Sequence, residues 1–161
     1  MATKSEILKY LEAVKDPEIP VLAIEDLGVI RDIEVDDDKV HVKISPTYSG
    51  CPAMDMIEVE IKATLQERGF ESSVELVLAP AWTTDWITDK GRSVLEEYGI
   101  AAPLEESADT RALMGEAKIV KCLNCGSTNT QLVSQFGSTA CKALFKCNDC
   151  YEPFDYFKCL K

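Results

Sequence analysis

The sequence contains a single histidine, His41, and this scarcity limits the chemistry that it can support. His41 falls at an outward-facing position of a predicted strand, so we assign it no role. With no serine–histidine–aspartate set and no glycine-rich phosphate loop, hydrolysis by acid–base catalysis is not expected. No run of about 18 apolar residues occurs and the N-terminus lacks the apolar core of a signal peptide, so we expect a cytoplasmic protein with no membrane partner.

Positive charge is also scarce. The 161 residues include 17 Lys and Arg against 28 Asp and Glu, which gives a net charge of −11. Residues 1–117 contain 11 Lys and Arg and 25 Asp and Glu, a net charge of −14. Residues 118–161 contain 6 Lys and Arg and 3 Asp and Glu, a net charge of +3. Four thiolates on one divalent ion would lower the latter value to about +1. A chain with this charge has no basic patch for phosphate contacts, so nucleic-acid binding is not expected.

Cysteine, in contrast, is concentrated at one end. Six of the seven cysteines lie in the last 44 residues, and four of them form two Cys-x-x-Cys pairs. Each pair can present two sulfurs from one tight turn, so two pairs can close a tetrahedron around one metal ion. Gly126 follows the first pair and supplies the backbone freedom that such a turn needs. The predicted metal ligands are Cys122, Cys125, Cys147 and Cys150.

Structural zinc is the metal that suits four thiolates with no open position, and a rubredoxin-like iron site is the alternative. About 44 residues cannot bury enough apolar surface to fold unaided, so the metal should contribute much of the stability of this module. Cys141 and Cys159 remain outside the pairs. Each can be a small buried apolar residue or an additional thiol ligand.

The remaining residues show the hydrophobic periodicity of a small α+β domain. A capping box at Thr3–Glu6 starts the first helix, and the acidic run 36–38 between two β-branched segments predicts a hairpin turn. We predict a domain over 1–99, a linker over 100–117 and a ribbon over 118–161. The predicted elements of the domain are a helix over 4–15, strands over 29–35 and 39–45, a helix from Pro52 that ends at Gly69, a strand over 73–78 and a helix over 84–98.

Cys51 is the one cysteine of this domain, and Pro52 follows it at the first position of a predicted helix. Cys51 should therefore lie at or near the N-cap, where the helix dipole would lower its thiol pKa. Such a thiolate can be a nucleophile or a soft-metal ligand, but a structural cysteine in a tight turn explains the pattern equally well. A metal at Cys51 would need ligands from another loop, from the tail or from a second copy of the chain.

These segments together resemble a known family. The stretches 16–20 (Asp-Pro-Glu-Ile-Pro), 26–28 (Asp-Leu-Gly) and 46–52 (Pro-Thr-Tyr-Ser-Gly-Cys-Pro) resemble the small α/β domain of SufT-type iron-sulfur assembly factors. Similarity to the phenylacetate degradation protein D (PaaD) family extends further, through residues 136–144 and 152–159. The resemblance thus covers nearly the entire chain.

The resemblance implies an α-β-β-α-β-α metal-sulfur cluster assembly domain followed by a zinc ribbon. It also implies an accessory role beside the phenylacetyl-CoA ring epoxidase, a di-iron oxygenase that works with an iron-sulfur reductase. By this likeness Cys51 would be a transient iron or iron-sulfur ligand, with Asp16 and Glu18 as its neighbours. Cys141 and Cys159 lie in stretches that match PaaD and would be possible additional thiols.

Three functions follow as hypotheses. The first is a non-catalytic factor that assembles or inserts iron-sulfur or iron centres in the epoxidase components. The second is a structural or docking subunit of the oxygenase, and the third is an electron carrier with iron in the four-cysteine site. Since one cysteine per chain can complete a bridging site by symmetry, a homodimer is also expected.

Overall fold

The computed structural model describes residues 2–48, 50–103 and 119–157. The chain divides into two compact units, Met1–Trp82 and Thr83–Lys161. Within the described residues, no helix is long and apolar enough to cross a membrane.

The first unit is a three-stranded sheet with helices. The strand order is β1-β2-β3, with β1 antiparallel to β2 and β2 parallel to β3. Because parallel neighbours need a long crossover, the helix between β2 and β3 makes that connection. The elements are α1 (Lys4–Leu11), α2 (Ile24–Leu27), β1 (Ile30–Asp36), β2 (Lys39–Ile44), α3 (Ala53–Glu67) and β3 (Glu71–Leu76).

Helix α1 begins as predicted, with a capping box in which Thr3 and Glu6 bond each other's backbone N–H. It ends at Leu11, four residues before the predicted end at residue 15. The reason is that the following backbone pairs elsewhere: the Ile24 N–H donates to the Val14 carbonyl (3.1 Å), and the Asp16 N–H donates to the Leu22 carbonyl (2.9 Å). These bonds hold the 16–20 loop in place.

Helix α3 supplies the largest apolar stripe of this unit. Its inward-facing residues recur at helical spacing and are all buried. The alternating strand β2 adds three more buried side chains. Trp82 is also buried and its Nε1–H donates to the Leu27 carbonyl at 2.9 Å, so it is a core residue. These buried residues are Met54, Ile57, Ile61 and Leu65 on α3, and Val40, Val42 and Ile44 on β2.

The second unit contains a four-stranded sheet in the order β4-β7-β6-β5. Strands β5, β6 and β7 are antiparallel neighbours, and β4 pairs with β7 in parallel. The elements are a 3-10 turn (Thr84–Trp86), α4 (Asp89–Tyr98), β4 (Ile100–Ala101), β5 (Thr130–Ser134), β6 (Lys142–Cys147) and β7 (Pro153–Phe157).

Two predictions for this region are corrected. The helix predicted over 84–98 is interrupted, because Ile87 is extended (φ −69°, ψ 129°) and Thr88 caps a new helix through a bond from the Gly91 N–H. The linker predicted over 100–117 begins with a strand, β4, that pairs with β7. Residues 104–117 of that linker lie outside the described residues. That 1–99 and 118–161 are separate domains stays a prediction.

We expect the substitution Ile57→Ala on α3 to lower the free energy of unfolding by about 3 kcal/mol, because Ile57 is fully buried and its loss leaves a cavity. The matched control, Val59→Ala on the same helix, changes a side chain that is 61% exposed and should cost less than about 0.5 kcal/mol. Urea unfolding followed by far-ultraviolet circular dichroism measures both. Equal losses for the two variants would contradict the assigned core.

Candidate functional site

Four cysteine sulfurs of the second unit meet in one cluster. The Sγ atoms of Cys122, Cys125, Cys147 and Cys150 all lie within 4.8 Å of one another. The Cys122–Cys150 sulfurs are 3.7 Å apart and the Cys125–Cys147 sulfurs 3.6 Å. A regular tetrahedron with metal–sulfur bonds of about 2.3 Å has edges of about 3.8 Å. The cluster therefore fits a tetrahedral metal ion with little rearrangement.

Equivalent turns present the two pairs. The Cys122 N–H donates to the Ser127 carbonyl (2.9 Å) and the Cys147 N–H donates to the Glu152 carbonyl (3.0 Å), so each turn closes five residues after its first cysteine. The residue after the second cysteine has positive φ in both turns, 74° at Gly126 and 63° at Tyr151. The sequence indicated the first of these positions. It gave no sign of the second, since a tyrosine seldom adopts this conformation.

Hydrogen bonds to the sulfurs create a strong asymmetry among the thiols. Bonds from the Asn124 side chain and the Glu152 N–H lower the pKa of the Cys150 thiol to about 6. The Ser127 N–H lowers the pKa of Cys125, but burial and the three neighbouring sulfurs outweigh it and raise that pKa to about 12. Four sulfurs this close cannot all be anionic without a cation, so a bound metal would take the place of the protons.

Asp149 joins the two turns, and sequence reasoning missed it. Its carboxylate accepts hydrogen bonds from the Ser127 hydroxyl and from Asn129 Nδ2 (3.0 Å). These bonds hold the pKa of Asp149 below its usual value. The neighbouring Asn148 adds a backbone bond to the Asn129 carbonyl at 2.8 Å. The loop of the second pair is thereby fixed against the segment that follows the first pair.

Of the two remaining tail cysteines, Cys141 is the one that the structure describes, and it lies outside this cluster. Cys141 is buried, and its sulfur lies 3.1 Å from Thr139 Oγ1. It is not among the four residues whose ligand atoms converge. Cys159 lies outside the described residues, so a role for either as an additional thiol stays a prediction.

Cys51 lies in the tight turn between β2 and α3. Its N–H donates to the Tyr48 carbonyl, and the Met54 N–H donates to the Cys51 carbonyl, both at 3.3 Å. Pro52 is the N-cap of α3, so Cys51 precedes the cap by one residue. Gly50 has φ 76°, which a residue with a side chain would adopt only with strain. The turn leaves the Cys51 side chain only 8% exposed.

The expected lowering of the Cys51 thiol pKa is wrong. Burial raises the pKa of Cys51, and the negative charges of Glu18 and Asp16 raise it further. Hydrogen bonds from the Ala53 N–H and the Tyr48 side chain act in the opposite direction but do not compensate. The helix terminus does not decide this pKa, because burial of the sulfur is the largest cause of the shift and the charges of two carboxylates from the 16–20 loop add to it.

Asp16 has a structural task in that loop. It is 6% exposed, and its Oδ1 accepts the N–H groups of Glu18 (2.8 Å) and Ile19 (3.0 Å). This carboxylate therefore fixes the loop conformation, as aspartate commonly does in turns. Glu18 is less buried than Asp16. That either carboxylate is a metal ligand stays a prediction.

The structure also brings His41 into a hydrogen-bonded group that the sequence did not indicate. Its Nδ1 lies 2.7 Å from Ser73 Oγ and its Nε2 lies 2.8 Å from Glu75 Oε2. The parallel pairing of β2 and β3 creates this juxtaposition. Beside it, Lys43 bonds Glu34 at 2.6 Å on the same sheet. These exposed contacts form a cross-strand polar network, and we assign it no chemical role.

Both halves of the chain match known families. Residues 4–76 match the family described as iron-sulfur cluster assembly protein, and residues 106–158 match the PaaD zinc beta ribbon domain. An Escherichia coli K12 protein, named as a putative subunit of 1,2-phenylacetyl-CoA epoxidase, is 47% identical over 156 residues, which cover 96% of this chain and 92% of that protein. The chain belongs to the PaaD family. The resemblance and the fold class inferred from the sequence are both confirmed.

Two further relatives match about half of this chain. A Bacillus subtilis protein named Fe-S protein maturation auxiliary factor YitW is 36% identical over 87 residues, 52% of this chain and 84% of that protein. The crystal structure of a DUF59 domain of unknown function from Bacillus anthracis superposes with a TM-score of 0.54 at 26% identity, over 57% of this chain and 90% of that one. These likenesses concern the iron-sulfur assembly fold.

We expect Cys147→Ser to abolish most metal binding, because it removes one of four converging ligands. Cys141→Ser is the matched control, since Cys141 is also buried but is not among the converging ligands. Elemental analysis of each purified variant should give about one divalent ion per chain for the wild type and the control. Equal metal loss in both variants would contradict the four-cysteine assignment.

We expect Cys51 to be alkylated slowly at neutral pH, because burial raises its thiol pKa and leaves little thiolate. Since the Glu18 charge disfavours the thiolate, Glu18→Gln should lower the pKa of Cys51 and shift the rate profile to lower pH. Glu12→Gln, on the exposed end of α1, is the control. Iodoacetamide kinetics with peptide mass spectrometry would show the shift, and superimposable profiles for both variants would contradict it.

Proposed function

We propose that this chain is a cytoplasmic accessory protein of the phenylacetyl-CoA epoxidase system that assembles or inserts iron-sulfur or iron centres in the other components. It does not turn over the aromatic substrate. The observation that carries the proposal is the position of Cys51 in a buried turn, with the charges of Asp16 and Glu18 acting on its sulfur, inside a domain of the iron-sulfur assembly family.

The surroundings of Cys51 suit a cargo that must leave again. One thiolate per chain holds iron weakly, since stable iron-sulfur sites use four cysteines. The raised pKa of Cys51 adds to this effect, because a proton competes with iron for the sulfur at neutral pH. Transient binding followed by release to a client is therefore the chemistry that Cys51 supports.

Asp16 and Glu18 have different roles near the Cys51 sulfur. Asp16 Oδ1 already accepts two backbone N–H groups, so its main contribution is to shape the 16–20 loop. Glu18 is the better placed of the two to offer an oxygen ligand, since it is the less buried carboxylate. Carboxylate oxygen is a known ligand of non-haem iron.

Unlike Cys51, which is proposed to bind its cargo transiently, the four-cysteine site is proposed to hold zinc permanently. Its four ligands close the tetrahedron, which leaves no open position for a substrate. Zinc would stabilise the second unit and undergo no redox change. The electron-carrier alternative requires iron at these sulfurs, and a colourless purified protein with one equivalent of zinc would exclude it.

The alternative of a docking role has its own support, because the Escherichia coli relative carries the name of an epoxidase component. Under that alternative the other epoxidase components are direct structural partners and the Cys51 thiol is dispensable. The two functions therefore predict different outcomes for the same variant.

We expect Cys51→Ala to abolish epoxidase activity when the pathway is expressed in cells that lack the wild-type chain, because the iron-sulfur centres of the reductase would not be filled. Cys141→Ser, another buried cysteine variant, should retain activity. Activity is measured as phenylacetyl-CoA consumption in lysates. Adding pre-matured reductase to the Cys51→Ala lysate should restore it. Full activity of Cys51→Ala without that addition would contradict assembly and favour docking.

A further inference from the structure

The four-cysteine cluster lies at one end of the β5–β6 hairpin. Cys147 is the last residue of β6 and pairs with Thr130, the first residue of β5. The first cysteine turn (122–127) leads into β5, and the second (147–152) begins where β6 ends. Strand ends fray, because their last residues have neighbours on one side only. Fraying at this end would move one cysteine turn away from the other.

A group of hydrogen bonds closes this end of the hairpin. The Asn148 N–H donates to the Asn129 carbonyl at 2.8 Å, which extends the backbone pairing one residue beyond the ladder. Asp149 accepts one bond from the Ser127 hydroxyl and one from Asn129 Nδ2, the latter at 3.0 Å. The Asn129 N–H donates to Ser127 Oγ at 3.0 Å. We call these four residues the latch, since two of them follow the first cysteine pair and two lie inside the second.

The carboxylate of Asp149 fixes the direction of the latch bonds. An ionised carboxylate can only accept, so Asn129 presents its NH₂ group to Asp149 and its side-chain oxygen to Asn148. That oxygen accepts a bond from Asn148 Nδ2 at 3.1 Å. The Asn129 side chain thus bonds two residues of the second turn at once. Asp149 is therefore the residue that orders the latch.

Electrostatics alone predicts that Asp149 would disfavour a bound metal. One divalent ion on four thiolates carries a net charge of about −2, so a nearby carboxylate repels the loaded site. Asp149 is exposed, and water and salt weaken this repulsion. The latch bonds, in contrast, act directly on the geometry of the two turns. The two effects have opposite signs, so an experiment can separate them.

We propose that Asp149 is a positioning residue for the four-cysteine site, which slows metal loss by joining the two cysteine turns. Asp149 is not among the residues whose ligand atoms converge, so it acts through the turns rather than on the ion. Both thiolates of one turn can leave the ion together only when that turn moves away from the other, and the latch opposes this movement. The inference rests on the zinc site of the proposed function.

Release of zinc from the full-length, zinc-loaded chain to an excess of a chromogenic chelator tests the latch. Asp149→Ala should release zinc about tenfold faster than the wild type, at the lower end of the effects of residues beyond the ligands. Ser127→Ala should accelerate release by a smaller factor and gives the same comparison should Asp149→Ala fail to load zinc. Ser134→Ala is the matched control, because this hydroxyl at the far end of β5 also makes two bonds, both with the Phe136 backbone. It should release zinc at the wild-type rate.

The double variant Asp149→Ala/Ser127→Ala distinguishes the latch from a general loss of stability. The bond between the two side chains is lost only once, so the combined acceleration should be smaller than the product of the two single accelerations. Two independent losses of stability would instead multiply.

Three outcomes would overturn the proposal: slower release from Asp149→Ala, which the charge repulsion predicts; release at the wild-type rate; or equal acceleration by Ser134→Ala. Metal analysis of the wild type tests the zinc site separately. A wild type that binds no zinc would contradict the proposed function at this site. A zinc-loaded wild type with an unchanged release rate in Asp149→Ala would contradict the latch alone.

Discussion

The convergence of four sulfurs is the constraint on which the second unit depends. Cys122 and Cys147 contribute sulfurs to the cluster and are also members of the small apolar core, where Phe145 packs edge-on against Tyr156 with ring centroids 5.6 Å apart. The proposed metal site and the apolar core therefore share the same residues. A metal bound there would add to the stability that the small described core supplies, and its loss would leave the four thiols in mutual contact.

The first unit differs from the second, because it contains a single cysteine, Cys51, rather than a cluster of four. The tight turn before α3 buries Cys51, and the 16–20 loop adds negative charge near it. A closed four-thiolate site retains its ion, whereas a single thiol with a raised pKa gives up a soft metal readily. Under the proposed function, one chain would combine a permanent metal site with a site suited to temporary cargo.

Local patterns in the sequence predicted the parts of this arrangement that depend on local geometry. The Cys-x-x-Cys pairs, the capping box of α1 and the apolar stripe of α3 each involve residues a few positions apart. The pKa of Cys51 was predicted in the wrong direction because its main cause is burial by the folded chain, to which carboxylates more than 30 positions away add a smaller contribution. Tyr151 and Asp149 were missed because positive φ and cross-turn bonds leave no mark in residue type alone.

Metal and sulfide analysis of the chain purified without oxygen tests the division between the two sites most directly, with the wild type and Cys51→Ala compared side by side. We expect about one zinc ion per chain in both proteins and, after incubation with excess ferrous iron and sulfide to load the weak site, a brown iron-sulfur absorbance with acid-labile sulfide in the wild type alone. Iron and sulfide in equal amounts in both proteins would contradict it, because the cluster would then be held elsewhere. Zinc in both and colour in neither would favour a docking role.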